Sequence, residues 1–365
     1  MQRIRYVRSS DNVSLAWAQA GEGLPLVKAA NWLTHLEYDW ESPVWRHWTQ
    51  FLAGHYRYIR HDERGCGMTD RVVGDLSFPR WVDDLELVVD AAGIQEPFVL
   101  LGISQGAATA AAYAARHPER VSHLVLYGGY AVGTYRRGDP AAVDAFRAVT
   151  DLVRLGWDQD NPVFRQLFTS RFIPGGSSEQ IDWFNQLCSR TTTGSIGAAL
   201  MAARGHVDAR AVLAQVRAPT LVLHGRNDQV VPLSEGERLA QSIPGASLVL
   251  LDSGNHVLLE HEPAWQVFQD EVLAFTGQSR RAAAEPASAP TDRLEAGLTP
   301  REREILARLC EGASNAQIGR LLGISEKTVR NHVSNLYDKL GVHSRAAAIV
   351  LAFEGTRSPP APRTS

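Results

Sequence analysis

The chain has 365 residues, 44% hydrophobic and 21% charged, with a formal net charge of −3. That composition is ordinary for a folded soluble protein and sufficient for one large domain plus a small one. No apolar run reaches membrane-spanning length, the opening MQRIRYVRSSDN lacks the apolar core of a signal peptide, and Cys66, Cys188 and Cys310 lie too far apart for a metal-ligand pattern. The expectation is a cytoplasmic protein with reduced thiols, no metal and no cofactor.

In chain order, Arg3 to Val7 and Val13 to Ala20 read as antiparallel strands, and Leu24 to Ala30 as a third strand. A loop through Asn31-Trp32-Leu33 precedes a helix near Val44 to Ala53. Tyr56 to His61 is a strand opening into Asp62-Glu63-Arg64-Gly65-Cys66-Gly67, and a helix spans Phe78 to Ala92. Pro97 to Leu101 is a continuous apolar run, the pattern of a strand buried on both faces of a parallel sheet. It enters Gly102-Ile103-Ser104-Gln105-Gly106, followed by an alanine-rich helix that stops before Pro118 and a strand over Val121 to Tyr127. Alternation of this kind predicts an open, mostly parallel α/β sheet. It breaks between about Val132 and Val216, where helical periodicity and Trp157, Phe164, Phe168, Phe172, Trp183 and Phe184 suggest a helical cap with an aromatic interior. Strands return at Thr220 to His224 and Ser247 to Asp252, with helices at Leu233 to Ile243 and Ala264 to Phe275.

Three residues in this part have the types and order of an acyl-transfer site. Ser104 sits in G-x-S-x-G between an apolar strand and a helix, where the glycines allow a sharp turn that lifts the hydroxyl clear of the sheet. Asp228 follows the strand at Thr220, and His256 follows the strand at Ser247. A serine hydroxyl needs a base to take its proton, and the base needs a carboxylate to fix its tautomer. The turn after Val121 to Tyr127 offers only Gly128-Gly129-Tyr130, which favours Asp228 as the acid. His61, His224 and His261 are read as structural. With the D-x-R-G-x-G-like loop at Asp62, residues 1–277 resemble an α/β-hydrolase with a cap over 132–216. The resemblance implies an oxyanion hole from the main-chain amides of Trp32 and Gln105. The family's His-Gly pair after the third strand is replaced here by Ala30-Asn31.

Gln278 onward is rich in Ala, Ser, Pro and charge and reads as a flexible linker over 278–296, spanning about 25 Å. Beyond it, Thr299, Pro300 and Glu302 have the spacing of a capped helix start. Ser314 and Gln317 repeat the pattern, with a helix over Asn315 to Leu322 that Gly323 ends. Ser325 then caps a helix whose apolar stripe is Val329, Val333, Leu336 and Leu340. Its opposite face carries Lys327, Arg330, Asn331 and Ser334, and His332 is read as packing. Residues 297–356 closely resemble the DNA-binding domain of LuxR/FixJ-type regulators, an all-α four-helix module. The resemblance implies that the third helix enters the major groove of duplex DNA and that a fourth, about Ser344 to Phe353, helps to form a homodimer. Arg330, Asn331 and Ser334 are the candidates for base edges; Lys327 and Thr328 are the candidates for phosphate. Eight Lys/Arg against six Asp/Glu over 296–355, with Arg357 and Arg363 in a tail (357–365) expected to be disordered, leave −7 on the remainder. An acidic body with a mildly basic module suits a tethered DNA reader.

Two functional readings stay open. One is a transcriptional regulator whose α/β-hydrolase domain senses, and in a combined version also destroys, a small ester, thioester or lactone. The other is a serine hydrolase whose C-terminal module serves localisation or dimerisation.

Overall fold

A computed structural model describes residues 2–278, 298–310, 313 and 315–340, which fall in two compact units, Met1–Ala282 and Ala283–Ser365. The larger holds one eight-stranded sheet in the order β1-β2-β4-β3-β5-β6-β7-β8. β1 (Arg3–Arg8) and β2 (Ser14–Ala20) are antiparallel, and β2 meets β4 (Arg57–His61) antiparallel. Every pairing from β4 onward is parallel, through β3 (Pro25–Lys28), β5 (Phe98–Ile103), β6 (Val121–Tyr127), β7 (Thr220–Gly225) and β8 (Ser247–Leu251). The expected α/β-hydrolase sheet is present.

Sequence character follows position. β5 pairs on both sides and all six of its residues are buried, so FVLLGI needs no polar face. β1 is an edge strand, and its exposed Arg3, Arg5 and Arg8 discourage pairing with another chain. The helix after β5, α3 (Gly106–Arg116), buries six small residues among Ala107–Ala114, which lets it lie close to the sheet. The carboxyl end of β5 extends to Ile103, two residues past the sequence-based expectation, because Gly102 and Ile103 still pair with Leu126 and Tyr127.

Between β6 and β7 the chain forms the cap: α4 (Pro140–Gly156), α5 (Val163–Phe172), α6 (Ser178–Thr191), α7 (Gly194–Gly205) and the short α8 (Arg210–Leu213). Local caps define its starts. Asp139 accepts from the Ala141 and Ala142 amides, and Ser177 and Gln180 form a capping box. An antiparallel bridge, Val132 to Asp208, closes its base. The aromatics divide: Trp157 and Phe184 are core, Phe168 and Phe172 are buried beside a cavity, and Phe164 is exposed at its rim.

In the smaller unit, helices span Pro300–Cys310, Asn315–Leu322 and Glu326–Leu340. Gly323 has φ +65°, the left-handed turn expected between the last two. Ile305, Leu309, Ile318, Val329, Val333 and Leu336 form the core of the unit, and His332 is half-buried. Thr299 and Glu302 cap each other: the Thr299 amide donates to Glu302 Oε2 (2.7 Å) and the Glu302 amide to Thr299 Oγ1 (3.3 Å). The same Glu302 oxygen receives Lys339 Nζ at 2.8 Å, so the first helix braces the end of the third. Residues 279–296, Ser314, the fourth helix near 344–353, the tail and the side chains of Cys310 and Leu340 lie outside the described residues.

The Lys339 hydrogen bond and the Thr299 amide hold Glu302 down at about 2. Because the folded value lies below the ordinary glutamate value of about 4.3, the stabilisation is present above that pH and is lost as pH falls towards about 2. Glu302→Gln should therefore lower the unfolding midpoint of the smaller unit at neutral pH. The gap from the parent should close across that acid window, as followed by helical circular dichroism.

Candidate active site

The site begins at the reversal between β5 and α3. Ser104 has φ +54°, in the left-handed region that L side chains rarely adopt. The flanking glycines have a steric reason. A Cβ on Gly102 would lie 2.6 Å from Ala107 Cα, and one on Gly106 would lie 2.9 Å from the Ala30 carbonyl oxygen. The Ser104 amide donates to Tyr127 O (3.0 Å) and Ser104 O accepts from the Ala107 amide (3.1 Å), so the turn is tied to both β6 and its own helix.

Asp228 and His256 meet as their order in the chain suggested. Asp228 Oδ2 accepts from His256 Nδ1 at 2.7 Å, with both side chains only 1% exposed. The other carboxylate oxygen, Oδ1, accepts from the amides of Val230 (2.8 Å) and Val231 (3.0 Å). Burial alone would raise the Asp228 carboxyl; the His256 charge and these hydrogen bonds outweigh it, and the group is held below its ordinary value. With Nδ1 engaged by Asp228, Nε2 is the ring nitrogen left to act as a base, and it is buried without a hydrogen-bond partner. The His256 amide donates to Phe172 O (2.8 Å), tying this loop to the end of α5. Gly128, φ +54°, makes room for the pair, since its Cβ would lie 3.3 Å from His256 Cε1 and 3.5 Å from Asp228 Oδ2. Thus the turn after β6 supports the acid rather than supplying it.

Ser104, Gln105, Trp32 and Asp228 line one cavity of about 550 Å³ beneath the cap, with Phe146, Val149, Phe168, Phe172 and Met201 giving it a mainly apolar wall. The loop carrying Trp32 is pinned from below: Lys28 Nζ donates to Asn31 Oδ1, and Asn31 Nδ2 donates to Trp32 O at 3.2 Å. The Trp32 amide does not point at empty space. It donates to Gln105 Oε1 at 2.8 Å.

Two further residues that sequence reasoning did not single out join this floor. Glu63 is paired with Arg204 of α7 across 141 residues of chain, a separation at which no local pattern operates. The Arg204 guanidinium lies 4.3 Å from the Trp32 ring centroid, a cation–π contact. Burial raises the Glu63 carboxyl despite that arginine. Two of the histidines read as structural, His61 and His224, are buried. Burial pushes His61 down to about 3, and His224 Nε2 meets Val231 O at 3.0 Å. Cys66 and Cys188 are buried and free.

In the smaller unit, Lys327 is exposed near the start of the third helix. Thr328 is half-buried, its amide donating to Ser325 Oγ (3.1 Å) and its hydroxyl 2.8 Å from the same atom. That hydroxyl therefore already serves the helix cap. Arg330, Asn331 and Ser334 fall on the helix, and their side chains lie outside the described residues. Among the described residues there is no His/Cys/Asp/Glu group that could hold a metal ion and no helix long and apolar enough to cross a membrane.

Fold and pocket together define a capped hydrolase-fold protein extended by a helix-turn-helix unit. The chain belongs to the alpha/beta hydrolase fold family, whose model matches residues 37–263, and residues 296–352 match the luxR family of bacterial regulatory proteins. It is 31% identical to the 2-hydroxymuconate semialdehyde hydrolase of Pseudomonas putida over 240 residues, 60% of this chain and 77% of that one. Its C-terminal part is 57% identical to the probable transcriptional regulatory protein SgaR of Hyphomicrobium methylovorum over 60 residues, 16% of this chain and 28% of SgaR. The esterase EaEST from Exiguobacterium antarcticum superposes with a TM-score of 0.62 at 25% identity, covering 74% of this chain and 98% of that one.

Gly102→Ala should destabilise the larger unit by ~1–3 kcal/mol, because every atom its methyl would strike is backbone and cannot swing aside. A urea titration of the full chain, compared with a surface Gly74→Ala control, reads this directly; Gly74 is exposed, has open space and lies outside the left-handed region, so it reports the change of residue without a clash.

Proposed function

We propose that this chain is a DNA-binding transcriptional regulator whose hydrolase-fold unit binds a small carboxylic ester, thioester or lactone in the capped cavity. The single observation that carries the effector half is the cavity itself: a mainly apolar space of about 550 Å³ reached by Ser104 and Asp228. Its size suits a small molecule with an apolar body. The luxR-family domain supports the DNA half.

The same residues support a chemical step on the bound effector. Ser104 Oγ attacks the acyl carbon while His256 Nε2 takes the hydroxyl proton, and Asp228 holds the ring and stabilises the imidazolium. The carbonyl oxygen gains the negative charge of the tetrahedral adduct and is received by the main-chain amides of Gln105 and Trp32. Collapse expels the alcohol or thiol, which takes the proton back from His256. Water then repeats the sequence on the acyl-serine and releases the acid. In a regulator this step would destroy its own effector and reset the sensor. A localised or dimerised hydrolase is the second reading, and the names of relatives such as EaEST favour it only for the larger unit. In either case a homodimer would bring two third helices to a two-fold site.

Intact-mass labelling with a fluorophosphonate tests the site: one adduct on the parent and none on Ser104→Ala is expected. A well-folded parent that stays unlabelled, with Gln105 variants unlabelled too, would remove the chemical step and leave a binding-only sensor.

On the DNA side, Arg330→Ala should weaken binding to a fragment selected by the parent protein by ~1–3 kcal/mol, the range of one bidentate base contact. Lys327→Ala should weaken all sequences alike and flatten the salt dependence. Equal affinity of Arg330→Ala and the parent for the selected fragment would show that the reading face is elsewhere.

A further inference from the structure

The resting site contains its own occupant of the oxyanion hole. The Trp32 amide has one hydrogen, and at 2.8 Å it is given to Gln105 Oε1. An oxyanion formed on a substrate would need that same hydrogen. The orientation of the Gln105 amide is dictated by its other end, where Nε2 faces Ala30 O and Glu63 Oε1, each at 3.4 Å. Both are acceptors, so flipping the amide would set its oxygen against two acceptors and its NH2 against the Trp32 donor. Glu63 is in turn held by Arg204, whose guanidinium packs on the Trp32 ring. Every group that would have to yield is buried: Gln105 is 2% exposed, Glu63 3% and Trp32 6%.

We propose that the Gln105 side chain is a built-in brake: it satisfies the Trp32 amide in the resting state and must be displaced before the hole can accept an oxyanion, which slows attack by Ser104. The proposal rests on the reading of Ser104 as the nucleophile. It accounts for how a complete set of acyl-transfer residues can coexist with a sensing role, because an effector then dwells in the cavity longer than it would in an unbraked hydrolase. Gln105 is a positioning residue here through its side chain, whereas its main-chain amide belongs to the hole. The long contacts at Nε2 are the weaker end of the brake, and the Trp32 amide is the stronger.

The test compares the parent with Gln105→Met, which keeps the length of the side chain and loses the acceptor, and with Gln105→Glu, which keeps an oxygen for the Trp32 amide. Two readouts are taken on the full chain: the second-order rate of Ser104 modification by a fluorophosphonate, and kcat and KM for p-nitrophenyl butyrate. Gln105→Met should react at least tenfold faster, on the order of what part of one oxyanion donor contributes. The gain should appear in kcat with KM little changed, and Gln105→Glu should be no faster than the parent. Gln105→Ala serves as the second variant where Gln105→Met fails to fold, folding being checked by thermal unfolding. A labelled parent with Gln105→Met and Gln105→Ala no faster would overturn the brake and leave the nucleophile reading intact. If parent and variants are all unlabelled, both fall, since removing the brake should have exposed a reactive serine. A silent parent alongside a labelled Gln105→Met supports the brake in its strongest form.

Discussion

The sharp reversal from β5 into α3 is the constraint on which the larger unit turns. A serine at φ +54° is costly, on the order of 1 kcal/mol or more, and persists only where the surroundings over-determine it. Here they do. β5 is buried between two parallel neighbours, α3 lies close on small residues, and the glycines on either side of the serine have no space for a methyl. The chain must pass through one narrow route, and that route delivers the hydroxyl to the cavity wall. The other elements then have fixed targets. β7 and β8 end beside the same sheet edge, and their loops bring Asp228 and His256 into contact because parallel strands all present their carboxyl ends on one side.

A second layer of order comes from buried charge. Asp62 Oδ2 accepts the Leu36 and Met68 amides, Arg64 is enclosed between Asp84 and Asp11, and Glu63 between them in sequence turns the other way to Arg204. Three consecutive ionisable residues thus tie four different segments to one loop: the stretch before α1 (Arg46–His55), the turn between β1 and β2, the middle of α2 (Phe78–Ala91) and the cap helix α7. Buried pairs of this kind add little net stability over apolar packing, but losing one member leaves an uncompensated charge. Their value here is geometric. Arg204 joins the cap to the floor of the cavity through Glu63 and the Trp32 ring, so cap position and the Trp32 loop are set together.

Much of this was legible in the chain. Strand-and-helix alternation, the serine turn and the order Ser104, Asp228, His256 are local or sequential signals, and each appears where the residues suggested. Boundaries shifted by one to two residues, as at Ile103, where Gly102 and Ile103 keep pairing with β6 into the serine turn. What the chain did not reveal depends on contacts with no sequence period. Glu63 and Arg204 meet across the whole cap insertion, and the Gln105 side chain reaches an amide 73 positions earlier. A glutamine in G-x-S-x-G looks like a surface polar residue until the loop after β3 is folded over it. In the smaller unit the reverse holds: the caps at Thr299 and Ser325 and the turn at Gly323 are all local, and the structure follows the residues closely.

The occupied amide of Trp32 changes how the apparently complete acyl-transfer set is weighed. Presence of nucleophile, base and acid says only that a proton can be moved; the barrier also depends on whether charge on the carbonyl oxygen is met by donors already aimed at it. On the proposed assignment of the hole, one of its two donors is committed elsewhere before substrate arrives, and freeing it would cost a buried hydrogen bond plus the rearrangement of a side chain that also faces Glu63. That cost falls on the transition state more than on binding, because a ground-state carbonyl needs the amide far less than a full oxyanion does. The proposed brake would therefore separate recognition from turnover within a single cavity. An ester or lactone would be bound through the apolar wall at little penalty and attacked slowly, which is the order of events a sensor requires and a dedicated hydrolase avoids.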